Sequence, residues 1–327
     1  MYIAIDETGS FREGKDLEYG IVTLVTITDN EWRKFRSLMD ALYPNGWSDI
    51  KGKTIDDGNR EKILKYIGTK YEIKYTSLLF DLKFGIDELV KYQRNGQVRL
   101  IKESIDSLKI NNGHKSLIDE LELMARRLNA MSNADFSKFM LIYELYREWM
   151  QYYQFDFIHI YKANDSWDLN HIIDTQTKSE NFKTILNQML ILTTNHLNPE
   201  FKIFSPQELR NIKHPFELKH SIMFEGRSVL DGHKVFRNLK ISNEQNEPVL
   251  LLPDLIGNTI HRSIKYRYEK KWLKMLKRIM SNRSITMNNK FRIGKNNYYL
   301  IRGFDRNMNQ ENLNLILQEH HTLMNHI

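Results

Sequence analysis

The apolar pattern at the start of the chain predicts a β-hairpin followed by a helix. Residues 2–5 (YIAI) form a short apolar run that a Thr-Gly-Ser turn signal interrupts, and residues 18–27 (EYGIVTLVTI) are β-branched and apolar enough for a buried central strand. A glycine-containing link joins these runs, which favours antiparallel pairing. The following amphipathic segment predicts a helix that Asp29 or Asn30 caps.

Helical patterns dominate the next hundred residues. A helix is predicted from about Asp57, and residues 71–82 predict a third strand that begins with alternation and then becomes fully apolar. From residue 85 to 132 the pattern is helical with a polar face, and residues 109–115 (KINNGHK) interrupt it. Residues 133–153 form an amphipathic stretch with an aromatic stripe, which indicates a core-packing helix.

Strands and helices then alternate. Residues 155–163 (FDFIHIYKA) predict a strand, and residues 168–174 (DLNHIID) predict a second strand or an extension of the first. A helix is predicted over residues 180–196, with short strands at residues 201–205 and 234–242.

The last part of the chain is basic. Residues 248–280 begin with an apolar stretch and continue as a long basic helix, and residues 290–304 predict a hairpin before a terminal helix. The whole order of elements predicts an α/β fold with a mixed sheet, in which a helical insertion at about 85–132 separates the third strand from the rest.

Composition restricts the classes of function. The 327 residues can bury one large core or two modest ones. The chain contains no cysteine, which excludes disulfides, thiolate zinc sites and a cysteine nucleophile. Without a secretory signal pattern or a bilayer-spanning apolar run, we expect a cytoplasmic protein with no membrane partner. The net charge of +7 favours a polyanionic partner.

Acidic residues stand where predicted strands and helices end or begin. Asp6 and Glu7 end the first strand, Asp174 closes the strand before a helix, and Asp254 lies inside the apolar run VLLLPDLIG. Burying such a carboxylate without a cation or hydrogen-bond donors is costly and forces it towards protonation.

Divalent cations are one solution if these carboxylates come together. At about 4 Å the repulsion between them is large in any medium less polar than water. Two Mg²⁺ or Mn²⁺ ions relieve that repulsion, and such a pair can activate a water and stabilise the leaving oxygen of a phosphodiester. Ligands made only of oxygen favour these ions over zinc.

Ordinary structural roles remain open for each acid. Asp6 can be a turn residue that caps Gly9, Asp174 can cap the loop before its helix, and Asp254 can be a helix N-cap after Pro253.

Three short stretches carry a resemblance to a known family. YIAIDETGSF, IKGKTI and VLLLPDLIGNTIHR resemble the family catalogued as domain of unknown function 3800, whose members open with a strand ending in Asp-Glu-Ser-Gly and close with a glutamine-leucine-alanine-aspartate-leucine-type helix start. The resemblance covers roughly residues 1–268. It implies a ribonuclease H-like catalytic domain with metal-dependent nuclease chemistry, and leaves residues 269–327 as an extension made of the basic helix, the hairpin and the terminal helix.

By position, the resemblance assigns the strand-one acid to Asp6 with Glu7 beside it, and the late helical acid to Asp254. Lys51, in IKGK, matches a basic position that would lie near the phosphate. The chain departs from the pattern at Thr8, where serine is usual, and at the Leu-Pro pair that precedes the late acid, where a small residue is usual.

The middle acid has two candidates. Asp174 is preferred because a helix begins shortly after it, whereas Asp165 directly follows the clearer predicted strand.

The basic helix is a candidate nucleic-acid interface. Its positive charges are interleaved with tyrosine and tryptophan, which suits phosphate contact and base stacking, although a charged helix is often only a solvated face. The candidate contact residues are Lys265, Arg267, Lys270, Lys271 and Lys274.

The leading hypothesis is a two-metal-ion nuclease that hydrolyses RNA or DNA with Mg²⁺ or Mn²⁺. Asp6, Asp174 and Asp254 would hold the ions, with Glu7 assisting and Lys51 steadying the phosphate. A homo-oligomer or a regulatory partner protein is compatible with this hypothesis. Many bacterial nucleases of this kind act against phage, so an antiviral defence role is an expectation of the resemblance alone.

Two other functions remain open. One is a non-catalytic nucleic-acid-binding or toxin-like interaction protein that has an incomplete set of acids. The other is an actin-like ATPase, whose first strand also ends in Asp, although its phosphate loop usually reads Asp-x-Gly-Thr and Gly9 comes one residue later than that pattern requires.

Overall fold

A mixed β-sheet organises the chain. The computed structural model describes residues 1–9, 19–70, 72–81, 86–159, 168–174, 180–194, 219–224, 227–242, 246–265, 270–272 and 274–275. Within these ranges the strands are β1 Tyr2–Gly9, β2 Tyr19–Ile27, β3 Ile73–Asp81, β4 Asn170–Asp174, β5 Ser221–Phe224, β6 Arg227–Leu230 and β7 Leu239–Ser242.

Five of these strands form one sheet in the order β3-β2-β1-β4-β7. β1 pairs antiparallel with β2, and β2 pairs antiparallel with β3, as the predicted hairpin and third strand require. β4 lies parallel to β1, and β7 lies parallel to β4. β5 and β6 form a separate antiparallel pair that the sequence did not reveal. The predicted α/β class with a mixed sheet is therefore confirmed.

Helices cover both faces of the sheet. They are α1 Asp29–Leu42, α2 Asp57–Thr69, α3 Ile86–Ile110, α4 Lys115–Asn129, α5 Asn133–His159, α6 Glu180–Thr194, α7 Gly232–Val235 and α8 Leu251–Lys265, with 3₁₀ turns at Gly52–Thr54 and Pro248–Leu250. The predicted interruption of the helical insertion is confirmed between α3 and α4.

The first helix begins one or two residues earlier than predicted. The cap of α1 is Thr28, whose hydroxyl accepts a hydrogen bond of 3.2 Å from the backbone N–H of Glu31, so the prediction of Asp29 or Asn30 is wrong. Both of those residues are inside the helix. The predicted start of α2 at Asp57 is confirmed, because the Asp56 carboxylate caps it with a 2.9 Å bond from the N–H of Asn59.

Two predicted strands are wrong in part. Residues 155–159 belong to α5 rather than to a strand, because adding a residue to an existing helix costs far less than starting a new element, and this outweighs the strand preference of Phe and Ile. Of residues 234–242 only β7 is extended, since the Asp231 carboxylate caps α7 first. Residues 160–163, the predicted strand at 201–205 and the terminal hairpin and helix lie outside the described residues.

Alternation along β1 divides the core into two layers. Ile3 and Ile5 pack on one face, in a cluster that includes Phe139 of α5 and Phe182 of α6. The opposite face carries Ala4 and packs with α1, α2 and α8. The helical insertion at about 85–132 and the extension after residue 268 both contribute to these layers. Met124 and Leu128 of α4 belong to the first cluster, and Trp272 and Met275 belong to the second.

The side chain of His171 fixes β4 to the helices that pack on the same face of the sheet as Ile3 and Ile5. Its ring is fully buried beside Tyr146, Trp149 and Phe236, and its Nε2–H donates to the carbonyl oxygen of Val235 at 2.8 Å. Burial lowers the pKa of His171 to about 3, so the ring is neutral at neutral pH. This contact ties the strand that ends at Asp174 to α7.

None of the helices in the described ranges has the length and apolar content that crossing a bilayer would need.

Candidate active site

The parallel pairing of β1 and β4 places two candidate acids side by side. Ile5 is the register partner of Ile173, and Asp6 and Asp174 are the residues that follow this pair. Because side chains alternate along a strand, both acids share the face of Ala4, which packs against α8. Asp6 is buried, and its Oδ1 accepts a 2.7 Å hydrogen bond from the N–H of Glu7.

The third acid comes from α8, which lies very close to β1. A Cβ atom at Gly257 would stand 2.7 Å from the hydroxyl of Thr8 and 3.2 Å from that of Thr23, the register partner of Asp6. Only glycine permits this approach. Asp254 precedes Gly257 by three residues and therefore lies on the same side of the helix. The acids from β1, β4 and α8 thus share one side of the sheet.

Asp254 is held by two amide donors. Its Oδ2 accepts from the backbone N–H of Gly52, and its Oδ1 accepts from the side-chain amide of Asn258, which also donates to the Asp254 carbonyl at 3.0 Å. Because α8 begins at Leu251, Asp254 lies in the first turn, and the alternative of an N-cap role is wrong. A carboxylate in the first turn also interacts favourably with the helix dipole.

The charges at this site are coupled. Burial first, and then the negative charges of Glu7 and Asp254, raise the pKa of Asp174 to about 6, although the Lys51 ammonium group acts to lower it. Four of the residues that the sequence singled out therefore sense one another. The site holds more negative charge than its neighbours neutralise, which is the condition that a bound cation relieves.

Glu7 points away from Asp6. It follows Asp6 on the strand, so its side chain lies on the α5 face, where its Oε1 accepts a 2.7 Å hydrogen bond from the Lys138 ammonium group. Sequence reasoning missed Lys138. The available signal was a single lysine among apolar residues in FSKFMLIYEL, which requires either solvent or a buried acid.

Lys51 stands at the start of the turn that meets α8. Its backbone N–H donates to the Thr54 hydroxyl at 3.2 Å, and that hydroxyl donates to the Lys51 carbonyl at 2.9 Å. The side chain is exposed, and its charge acts on Asp174. Lys51 therefore lies near enough to Asp174 for the two charges to interact.

The predicted nucleic-acid contacts have acidic neighbours. Lys271 forms a salt bridge with Asp57, and Lys274 forms one with Glu61 at 2.9 Å, both across to α2. Exposed pairs of this kind are weak, so they leave the lysines able to exchange partners. Lys270 is exposed, Lys265 ends α8, and Arg267 lies outside the described residues.

Asp165, the alternative candidate for the middle acid, also lies outside the described residues.

The acids suit a hard divalent cation by their chemistry, although they do not form a ready cage. Within the ranges described above, no group of three or more His, Cys, Asp or Glu residues is placed to hold a metal ion. The Asp254 carboxylate is turned towards Gly52 and Asn258 instead. The donors are all carboxylate oxygens, and the charge of Asp254 contributes to the raised pKa of Asp174, so the chemistry of these residues suits Mg²⁺ or Mn²⁺.

Asp174→Asn is expected to stabilise the metal-free protein at neutral pH. The pKa of Asp174 rises from 3.8 to about 6 on folding, so the folded protein binds this proton more tightly and loses stability as pH rises between those values. Asparagine stays neutral and removes the loss. The gain should be about 1 kcal/mol, since water still screens a carboxyl that is only partly buried.

Thermal unfolding in EDTA at pH 5 and pH 8 measures this effect. Asp119→Asn, at an exposed position of α4, is the matched control. The expected result is a higher Tm for Asp174→Asn at pH 8 and a smaller difference at pH 5. The same pH dependence for both variants would contradict the assigned environment of Asp174.

Comparison with known proteins gives no relative for this chain, because no protein-family model, no curated protein and no solved structure matches it.

Proposed function

We propose that the protein is a Mg²⁺- or Mn²⁺-dependent nuclease with a ribonuclease H-like fold that hydrolyses phosphodiester bonds in RNA or DNA. The observation that carries the proposal is the convergence of acids from β1, β4 and α8 on one side of the sheet. Burial, together with the nearby negative charges of Glu7 and Asp254, raises the pKa of Asp174 to about 6. A cluster of buried carboxylates lowers the stability of the fold, so its presence indicates a functional site. Metal-dependent hydrolysis of phosphodiesters is a function that uses such a cluster.

The fold and the sequence resemblance support the same function. Three antiparallel strands continue into strands parallel to β1, which is compatible with a ribonuclease H-like sheet. The three stretches that resemble domain of unknown function 3800 supply β1, the turn at Gly52–Thr54 and the first part of α8. Segments far apart in the sequence thus meet at the proposed site.

Asp6, Asp174 and Asp254 would hold the ions. When bound, the ions supply an activated water and a Lewis acid for the scissile phosphate. Gly52 and Asn258 orient Asp254 by their amide donors.

Two lysines have separate roles. Lys51, exposed and close enough to act on Asp174, would steady the phosphate of the substrate. Lys138 pairs with Glu7 on the other face of β1, so we infer that Glu7 affects the site through its charge and not as a metal ligand.

Cleavage of labelled nucleic acids by the purified full-length chain tests the proposal. Single- and double-stranded RNA, single- and double-stranded DNA and an RNA–DNA hybrid are each incubated with Mg²⁺, with Mn²⁺ or with EDTA. We expect at least one polymer to be cut with metal and none with EDTA. Absence of cleavage in every combination, or cleavage that persists in EDTA, would reject the nuclease assignment.

A non-catalytic nucleic-acid-binding protein is the second candidate. The observation that favours it is the orientation of Asp254, whose oxygens face amide donors instead of the other two acids. This candidate predicts metal-independent binding that weakens steeply with salt, without cleavage of any polymer. Measuring binding and cleavage on the same substrates separates the two functions.

A further inference from the structure

Arg60 is buried to an unusual degree for an arginine. It lies on α2, its side chain is 0% exposed, and it is the largest fully buried side chain among the described residues. Removing a guanidinium group from water costs several kcal/mol, and an apolar residue of similar size is often at least as stabilising. A buried charge of this kind therefore requires an explanation beyond packing.

The hydrogen bonds of Arg60 join three elements. Its Nη2 donates to the carbonyl oxygen of Gly52 and, at 3.4 Å, to that of Ile55, both in or beside the turn Gly52–Thr54. Its Nη1 donates to the Thr259 hydroxyl of α8 at 3.3 Å. Arg60 thus ties α2, the turn and the helix that carries Asp254 together.

Gly52 transmits this contact to the acid. The carbonyl of Gly52 accepts from Arg60, and the N–H of Gly52 donates to Oδ2 of Asp254. The two bonds lie on either side of the Gly52 Cα atom, in neighbouring peptide groups, so together they fix the position of this residue between Arg60 and Asp254. The orientation of the Asp254 carboxylate therefore depends on the position of Arg60.

The Trp272 ring packs against the guanidinium group of Arg60. The guanidinium carbon of Arg60 lies 5.6 Å from the centre of the Trp272 ring, and that of Arg262 lies 5.2 Å from it. Arg262 also donates to the carbonyl of Lys53 at 2.8 Å, so a second arginine holds the same turn. Cation–π contacts of this kind restrict the guanidinium groups.

We propose that Arg60 is a positioning residue of the metal site, which sets the orientation of the Asp254 carboxylate through the backbone of Gly52. The inference rests on the proposed metal-dependent function. It goes beyond it by assigning a role to a residue that touches none of the three acids by hydrogen bond. Loss of the Arg60 contacts should weaken metal affinity even where the fold persists, since groups that orient metal ligands contribute roughly 10- to 100-fold.

Mn²⁺ titration of the full-length protein tests the role of Arg60, with binding followed by the electron paramagnetic resonance signal of free Mn²⁺. The variants are Arg60→Met, which keeps the length of the side chain without its donors, and Arg60→Lys, which keeps one donor group. Ile63→Ala, at a buried position of the same helix, is the control for general destabilisation. Circular dichroism establishes a temperature at which each protein is folded.

We expect Arg60→Met to weaken Mn²⁺ binding by roughly 10- to 100-fold, Arg60→Lys to weaken it less, and Ile63→Ala to leave it unchanged. If Arg60→Met fails to fold, the milder pair Thr259→Val and Thr259→Ser provides the answer. Valine removes the hydroxyl that Arg60 contacts and serine keeps it, so only valine should weaken binding.

The outcomes separate the two levels of the proposal. Wild-type affinity in a folded Arg60→Met protein, or in Thr259→Val where the first does not fold, overturns the positioning role alone. Equal weakening by Ile63→Ala also overturns it, because the effect would then follow stability. Wild-type protein that binds no Mn²⁺ overturns the metal site itself, and the positioning role with it.

Discussion

Replacing Asp6 by asparagine is expected to lower metal-dependent cleavage by about a thousandfold or more while the protein remains folded. Asparagine keeps the oxygen that accepts from the N–H of Glu7, and Asp6 lies inside β1 opposite Thr23, so the strand should persist. It removes one of the three carboxylate charges that would hold the ions in the proposed site. The measurement is the single-turnover cleavage rate on the best substrate, with thermal unfolding to establish the fold.

Glu7→Gln is the matched variant for this experiment, because Glu7 is the next residue but faces α5. The neutral amide removes the carboxylate charge beside the largely buried Lys138 ammonium group, so stability should fall more than in Asp6→Asn. The cleavage rate should fall less. If Glu7→Gln lost as much cleavage as Asp6→Asn at equal folding, the assignment of Asp6 as the ligand and Glu7 as a charge partner would be wrong.

Replacing Gly52 by alanine is expected to destabilise the protein by about 2 to 4 kcal/mol. The added Cβ would lie 2.7 Å from the backbone nitrogen of Leu255 and 2.8 Å from Oδ2 of Asp254, and the backbone of α8 cannot yield as a flexible side chain can. The turn must therefore move away, which breaks the hydrogen bond from the Gly52 N–H to Asp254. Metal affinity should fall together with stability.

Chemical denaturation of Gly52→Ala against Gly96→Ala measures this effect. A Cβ at Gly96 of α3 meets nothing within 4 Å, so alanine there should stabilise the helix by up to about 1 kcal/mol. Opposite signs for the two variants are the expected result. An unfolding midpoint for Gly52→Ala equal to that of the wild type would show that the turn is not pressed against α8.

Local sequence patterns were sufficient for most individual elements. β1, β2 and β3 are short runs of strand-forming residues between turn signals, and α2 has a capping aspartate at its start. The error at residues 155–159 arose because the same residues suit a strand and the end of a long helix. Only the cost of leaving an established helix distinguishes these two states.

The candidate site was predictable where charge conflicted with its surroundings. Asp6 stood out because it ends an apolar strand run and Asp254 because it lies inside another apolar run, and burying either carboxylate is costly without a partner. Arg60 was not recognisable, since it lies in a helix where a basic residue is ordinary on the exposed side, and the only signal for Lys138 was its place among apolar residues. Their burial depends on how α2 and α5 pack against distant segments, and short-range patterns contain no such information.

The opposite directions of Asp6 and Glu7 also determine how β1 can pair. If β1 shifted by one residue along β2, Asp6 would enter the apolar layer beneath α5 and Glu7 would leave the Lys138 ammonium group behind. Each carboxylate would then raise the free energy of the misaligned state. Ile5 and Ala4 would also change faces, which disturbs both apolar layers. Two neighbouring charges of the same sign usually destabilise a buried strand. Here they help to specify the register of β1, because only one pairing with β2 places both carboxylates beside their partners.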